Sequence, residues 1–317
     1  MIPSNVYNYT DFGIHSNNER YFWAVYHAFV FLSSLIGDTL ILYGSSQRNA
    51  FRLNKFILTV MQHIALTDLA CAICNVLPKC VSLLANAWVM GETICYGRAF
   101  LGRLFYVVGI WLIAVLTVSK LLLLKYPIRC GSWTKKMAHI VCSITLIPTA
   151  ILPILSMVAQ DVEFDYRIYV CDYVLNDVKW EKHIRFVKLI FTAAIFFPPN
   201  VIIVATTIPT LMYLSDARKS ARGVQGRIPW QGTVTVVLTA AVYCCSTLPT
   251  FIYHIISSSN AQAFRLATFS LSINIMSNFY IYALTISGFR KLILSKMATL
   301  LPISLQPIRK TASTGKI

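Results

Sequence analysis

Seven long apolar stretches recur along the sequence, with short polar connections between them. A helix that crosses a membrane needs about 20 mostly apolar residues, and every one of these stretches reaches that length. They cover residues 21–43, 56–77, 99–124, 137–159, 186–214, 232–256 and 263–286. We therefore predict an all-α membrane protein whose fold is a seven-transmembrane helix bundle.

The composition excludes the main alternatives to a membrane protein. Charged residues make up 13% of the chain and hydrophobic residues 56%, whereas an average soluble domain is about 25% charged. Disorder is excluded too, because 18 Phe, 16 Tyr and 6 Trp carry more apolar surface than a solvated coil leaves exposed. The sequence shows no Ser/His/Asp set, paired-histidine motif or glycine-rich phosphate loop, so it does not indicate an enzyme.

The basic residues are concentrated on one side of the predicted bundle. The connections 44–55, 125–136 and 215–231, together with everything after residue 286, contain 17 of the 28 Lys and Arg residues and one acid, Asp216. Cytoplasmic loops of membrane proteins are enriched in Lys and Arg. This side is therefore predicted to be cytoplasmic, with an extracellular N-terminus and a cytoplasmic C-terminus. A basic membrane face also explains the net charge of +16 without a nucleic-acid partner.

The two ends of the chain differ from the bundle between them. Residues 1–20 are predicted to form an extracellular segment, and within them Asn8 begins a sequon for N-glycosylation, Asn-Tyr-Thr. The bundle occupies residues 21–286. Residues 287–317 are predicted to contain a short amphipathic eighth helix and a tail, because 288–301 alternate basic and apolar residues at a spacing typical of a helix on membrane lipids.

Short motifs occur at fixed depths in five of the predicted spans. They are Gly37-Asp38, Leu66-Thr67-Asp68-Leu69, Ser119-Lys120-Leu121, Ser246-Thr247-Leu248-Pro249 and Asn278-Phe279-Tyr280-Ile281-Tyr282. In order and spacing this set resembles the rhodopsin-like (class A) G-protein-coupled receptors. The resemblance implies a plasma-membrane receptor that binds an extracellular small molecule or peptide in a cavity of the bundle and activates a heterotrimeric G protein.

The same resemblance implies a disulfide at the outer end of the bundle. Trp88 and Gly91 precede Cys95 with the spacing of the family's first outer loop and third-helix cysteine. Cys95 and Cys171 both lie in predicted outer segments, where oxidation is permitted. We predict that they are joined, which would tie the third span to the long outer loop.

Departures from the family motifs fall on the residues that couple to the G protein. Lys120 stands in place of the arginine that engages the G protein, and Phe279 in place of a proline in the seventh span. We assign Lys120 and Tyr282 to coupling. Lysine keeps the positive charge but lacks the planar fork of arginine. Alternatively, Lys120 extends to water from the helix end, and the chain is a decoy receptor that does not couple. A secondary transporter is disfavoured because no internal repeat is visible.

Candidate ligand contacts lie near the predicted outer ends of the spans. Gly102 occupies the position at which amine receptors carry an aspartate, and the next residue is Arg103. A charged side chain at that depth faces a cavity or a partner, so an acidic ligand is indicated. The other candidate contacts are Tyr106, Tyr253, His254 and Arg265. The alternative is internal pairing of the arginine with an outer-loop acid, for which the candidates are Asp161, Glu163, Asp165 and Asp172.

A second polar site is predicted in the middle of the bundle. The resemblance places Asp38 and Asp68 near Asn274 and Asn278, and the family's equivalent of Asp68 binds a sodium ion. Two carboxylates in a medium of low dielectric cannot both be ionised cheaply. We expect a shared proton or a bound sodium ion, and no other cofactor or metal. Alternatively, a protonated Asp38 replaces the family's asparagine, and Gly109 lacks the serine oxygen that relatives supply to sodium.

Overall fold

The computed structural model describes residues 17–47, 51, 53–159, 161–165, 169–174, 181–220, 230–256 and 261–300, with some side chains inside the later helices left out of the description. The predicted glycosylation site at Asn8 lies outside the described residues. The side chains of Tyr253, His254 and Arg265 also lie outside the description, so their assignment as ligand contacts stays a prediction.

Eight long helices, one five-residue helix and one hairpin make up the described part of the chain. The helices are α1 (Asn17–Ser46), α2 (Lys55–Ala85), α3 (Glu92–Lys125), α4 (Lys135–Ala159), α5 (Glu181–Ser220), α6 (Trp230–Ile256), α7 (Ala261–Thr285) and α8 (Ser287–Leu300). A five-residue helix, Pro127–Gly131, lies between α3 and α4. The antiparallel strands β1 (Asp161–Asp165) and β2 (Val170–Val174) form the hairpin.

Each predicted apolar stretch falls within or close to one of the helices α1 to α7, and the largest differences are at the outer ends of α2 and α3, which extend to Ala85 and begin at Glu92. Within the part of the chain that the structure describes, five helices are long and apolar enough to cross a membrane. A sixth is counted if Phe269–Thr285 and Ser287–Lys296 form one bent span. The bend between these two helices is 102°, so α8 runs across the direction of α7, as expected for a helix on the membrane surface.

The surface of the bundle is apolar and its interior contains the polar groups, which is the reverse of a soluble protein. Leu284 is 73% exposed and Val25 69% exposed, whereas Asp38 and Asn278 are each 1% exposed. Lipid can cover exposed leucine and valine at no cost. The buried polar side chains therefore mark the interior positions at which function is to be sought.

The third helix lies at the centre of the bundle. It packs against α2, α4, α5, α6 and both strands of the hairpin. At the inner end, Phe289 of α8 is fully buried and its ring stacks on Phe51 at 5.0 Å. This contact attaches the amphipathic helix to the bundle through an apolar side chain.

The second helix contains one wide turn that matters for the outer site. Residues Ala72–Val76 form a π-helical turn, and Pro78 follows it at the start of the next α-helical segment. Proline cannot donate the backbone hydrogen bond of a regular helix, and π turns add one residue to a helix and are frequent at functional sites. Asn75 lies in this turn and reaches across to α3.

Candidate functional site

A disulfide fixes the hairpin to the outer end of α3. Cys95 and Cys171 are bonded, with their Cα atoms 5.3 Å apart, as predicted. Cys171 is fully buried and lies opposite Phe164 in the hairpin register. All the other cysteines in the described residues are free. The strands themselves were not predicted, because two five-residue strands in a connecting loop give little periodic signal.

Arg103 is paired with an acid of the hairpin. Its Nη2 atom donates a hydrogen bond of 2.7 Å to Oδ1 of Asp172, and the two side chains are 21% and 34% exposed. This is the internal pairing that the sequence analysis left open beside a ligand contact. One turn further out, Arg98 donates a hydrogen bond from Nη1 to the carbonyl oxygen of Cys171. Two arginines of α3 thus hold the second strand.

The Asn75 side chain of α2 covers Gly102 of α3. The Asn75 side chain donates a hydrogen bond of 3.0 Å from Nδ2 to the Gly102 carbonyl. The same amide fills the space that a Cβ at position 102 would need. A side chain at position 102 would therefore have to displace the Asn75 amide from this position. Tyr106, one turn further along α3, is partly buried beside the main apolar core.

The sequence analysis missed three polar residues near this site: Asn75, Lys79 and His27. The second apolar stretch was predicted to end at residue 77, two residues before Lys79. The structure continues α2 to Ala85, so Lys79 lies within the helix. The basic residue two positions after the apolar stretch was the available signal. His27 is 1% exposed, and its Nδ1 atom has no hydrogen-bond partner in the described structure.

Both aspartates of the expected central site are buried in the bundle. Ser34 donates to Oδ2 of Asp38 at 2.5 Å, and Asn278 donates from Nδ2 to Oδ2 of Asp68 at 2.6 Å. The aspartates are 1% and 5% exposed, and the Asp38 carboxyl feels the charge of Asp68. Ser34 therefore satisfies one oxygen of Asp38, and Asn278 satisfies one oxygen of Asp68.

Several buried oxygen atoms around this pair have no hydrogen-bond partner among the described residues. They are Oδ1 of Asp38, Oδ1 of Asn274, Oδ1 of Asn278 and the hydroxyl of Tyr282. Three of the four can only accept a hydrogen bond or bind a cation. A buried acceptor left unsatisfied is costly, so this arrangement fits an additional proton or a monovalent cation. On the side of α3, Gly109 contributes no side-chain oxygen, and a Cβ added there would lie 3.9 Å from the methyl group of Thr67.

At the inner end of the bundle, Lys120 is covered by another helix. It is 6% exposed, and a Cβ added to Gly232 of α6 would lie 3.5 Å from its Nζ atom and 2.5 Å from a methyl group of Leu53. The ammonium thus lies against α6. Tyr282, the other predicted coupling residue, is 1% exposed.

Comparison with known proteins agrees with this arrangement. A family model described as 7 transmembrane receptor (rhodopsin family) matches residues 40–287. The chain belongs to this family. The receptor is also similar to a crystal structure of squid rhodopsin, with a TM-score of 0.75 and 14% sequence identity over 95% of this chain and 92% of that chain. At this identity the structural match shows the fold alone.

Family membership establishes the general class of the receptor. It is a multi-pass membrane protein of a signalling-receptor family, and that family consists of receptors rather than enzymes. The disulfide, the central position of α3 and the buried aspartate pair are then parts of a receptor fold. The residues that the sequence analysis assigned to ligand and G-protein contact are the subject of the proposals below.

Proposed function

We propose that the receptor binds an extracellular ligand at the outer end of its bundle and activates a heterotrimeric G protein at its inner end. Its place is the plasma membrane, with the N-terminus outside and the C-terminus in the cytoplasm. The observation that carries the proposal is the burial of Lys120 against α6. A basic side chain that one helix covers becomes available when that helix moves.

The contact between Gly232 and Leu53 sets the position of α6 over Lys120. Glycine lets α6 approach closely, because a larger side chain at 232 would overlap Leu53. Outward displacement of the start of α6 would expose the Lys120 ammonium to an acidic or carbonyl group of a G protein. Lysine supplies a point charge for that contact without the paired hydrogen bonds of arginine.

The ion pair of Arg103 and Asp172 links ligand binding to the hairpin. Asp172 belongs to β2, and Cys171 beside it is bonded to α3. An acidic group of a small molecule or peptide that replaces Asp172 at Arg103 would change the contact between the hairpin and α3. A ligand can shift a conformational equilibrium only through such a difference in contacts.

The aspartate pair supplies a switch between these two ends. The unsatisfied oxygens near Asp38 and Asp68 support binding of a proton or a sodium ion in the state described. Movement of α7 relative to α1 and α2 would separate the hydrogen-bonded Asn278 from Asp68 and change the affinity for that cation. Beyond this cation we propose no cofactor.

Guanine-nucleotide exchange tests the coupling proposal. The receptor is reconstituted alone in lipid vesicles with a purified heterotrimeric G protein, and exchange is measured without ligand and with a panel of carboxylate- or phosphate-bearing small molecules and peptides. We expect exchange above that of empty vesicles. Lys120→Ala should reduce it roughly tenfold or more, the usual effect of losing one charged hydrogen bond.

Lys125→Ala is the matched control for this experiment. Lys125 is exposed about one turn further along α3, and its ammonium lies 5.5 Å from the centroid of the Tyr126 ring. Its removal should leave exchange unchanged. Equal exchange in wild type and Lys120→Ala contradicts the role of Lys120. No exchange above empty vesicles with any of several G proteins favours the alternative of a decoy receptor.

A further inference from the structure

Lys79 is a basic residue inside α2 that neither the motifs nor the coupling proposal explains. It is partly buried, and the charged group that it feels is another cation, Arg98 of α3. In the described part of the chain, the ion pair of Arg103 with Asp172 is the only salt bridge. Lys79 therefore has no acidic partner among the described residues.

The hydrogen bonds between helices place Lys79 level with Arg98. The Asn75 amide donates to the Gly102 carbonyl, so these two residues face each other across α2 and α3. The two helices are antiparallel. Four residues outward along α2 is Lys79, and four residues outward along α3 is Arg98. With a rise of about 1.5 Å per residue, both lie about 6 Å beyond the Asn75 contact.

The first helix closes the other side of Lys79. The next residue, Cys80, donates from Sγ to the Ala24 carbonyl of α1 at 3.5 Å. His27 lies one turn inward from Ala24 on the same face, is 1% exposed and feels the positive charge of Lys79. A histidine, a lysine and an arginine therefore come together from three helices.

Hydrogen-bonding capacity at this position is left unused. Nε of Arg98 and Nδ1 of His27 are buried and have no partner in the described structure. The acids that Arg98 feels are Asp172 and Asp165, and Asp172 is paired with Arg103. Uncompensated positive charge in a medium of low dielectric is unfavourable. A bound anion would remove this cost and satisfy the unpaired donors.

We infer that Lys79 and Arg98 form an anion subsite that binds the carboxylate or phosphate group of an acidic ligand between α1, α2 and α3. This rests on the proposed ligand-binding function of the outer end and specifies the chemistry of the ligand. Lys79 provides the charge that the described residues leave unpaired, and Arg98 holds the anion against the hairpin. Arg103 remains in its ion pair with Asp172.

Anion-dependent stability of the purified receptor tests the subsite. The full chain is placed in nanodiscs of phosphatidylcholine, and its melting temperature is measured against rising succinate or inorganic pyrophosphate at constant ionic strength, with chloride as the reference. We expect the melting temperature to rise with the logarithm of the probe concentration. Lys79→Met should raise the half-saturating concentration about tenfold to a hundredfold, and Lys79→Arg should keep most of the effect.

Lys55→Met is the matched control, because it removes an exposed lysine from the other end of α2. It should respond to both probes as wild type does. Lys79→Met should also melt at a higher temperature than wild type without any probe, since it removes the uncompensated charge. No response of wild type to either probe, or an equal response in Lys79→Met and Lys55→Met, overturns the inference.

Nanodiscs that contain phosphatidylglycerol identify the source of the anion. If this lipid raises the melting temperature of wild type but not of Lys79→Met, and abolishes the effect of the soluble probes, the subsite binds a lipid headgroup. If the soluble probes still act, it binds a soluble acidic ligand. No G protein is present in this assay. The two proposals can therefore fail separately. A receptor that catalyses no nucleotide exchange can still bind the anion, and a receptor that binds no anion can still couple to a G protein.

Discussion

The outer cations and the central aspartates are two clusters of like charge, and the electrostatic cost of each cluster is offset in a different way. Each site gathers charges of one sign where the dielectric constant is low, which is costly without compensation. At the outer end the compensating negative charge is Asp172, which lies on a hairpin that the disulfide attaches to α3. In the middle, Ser34 and Asn278 donate from the helices of the bundle themselves.

The difference concerns what can move. The countercharge of the outer site belongs to a strand outside the bundle, so its release leaves the helix packing in place. The donors of the central site are buried helix residues, so any change there requires the helices to move. An extracellular ligand is therefore expected to act on the outer site first, and the central site is expected to report helix rearrangement.

Cys95→Ser should have the largest effect on this comparison, because it frees the hairpin that carries Asp172. The two cysteines are 76 residues apart in sequence. Removing a disulfide that closes a loop of that size lowers the free energy of unfolding by about 4 kcal/mol if the bond acts through the entropy of the unfolded chain. We expect strongly reduced surface expression and melting temperature. Cys245→Ala, which removes an exposed free cysteine, is the control. Wild-type expression of Cys95→Ser would show that the hairpin is held by its other contacts.

Asp38→Asn should separate the central site from the outer one. It removes one carboxylate and keeps a side chain that Ser34 can still donate to. Asp68 then remains as the single carboxyl group of the site, so neither a shared proton nor a bound cation is needed to avoid like-charge repulsion. Basal nucleotide exchange should lose its dependence on sodium concentration and pH. If neither variable distinguishes Asp38→Asn from wild type, the pair does not bind a shared cation and Asp38 is a structural residue.

A double-mutant cycle on Arg103 and Asp172 should give the smallest effect, because both side chains are partly exposed to water. We expect a coupling energy of about 0.5–1 kcal/mol in thermal melts of Arg103→Ala, Asp172→Asn and the double variant. Arg103→Lys should retain part of it, since the charge survives without the fork. Once an agonist is found, unchanged potency at Arg103→Ala would exclude a ligand contact there.

Membership in a helical membrane class followed from the sequence because burial in lipid imposes a local rule. About 20 apolar residues suffice for each span, and the charges between the spans report their orientation. The buried Asp68 and the cysteine pair were also predictable, since motif spacing along α-helices converts directly into depth. These features need no knowledge of how the helices face one another.

The partners of the polar residues were decided by the tertiary structure. Arg103 could have paired with any of four outer-loop acids, and only the hairpin register brings Asp172 to it. Lys79 falls beyond the predicted end of the second span at residue 77 but lies within α2, because a helix can continue past its apolar stretch where protein covers it. The closure of Gly102 by Asn75 depends on the wide turn in α2. Depth in the membrane depends on each segment alone and can be predicted from a single sequence. Contacts depend on how two segments face each other, which a single sequence does not specify.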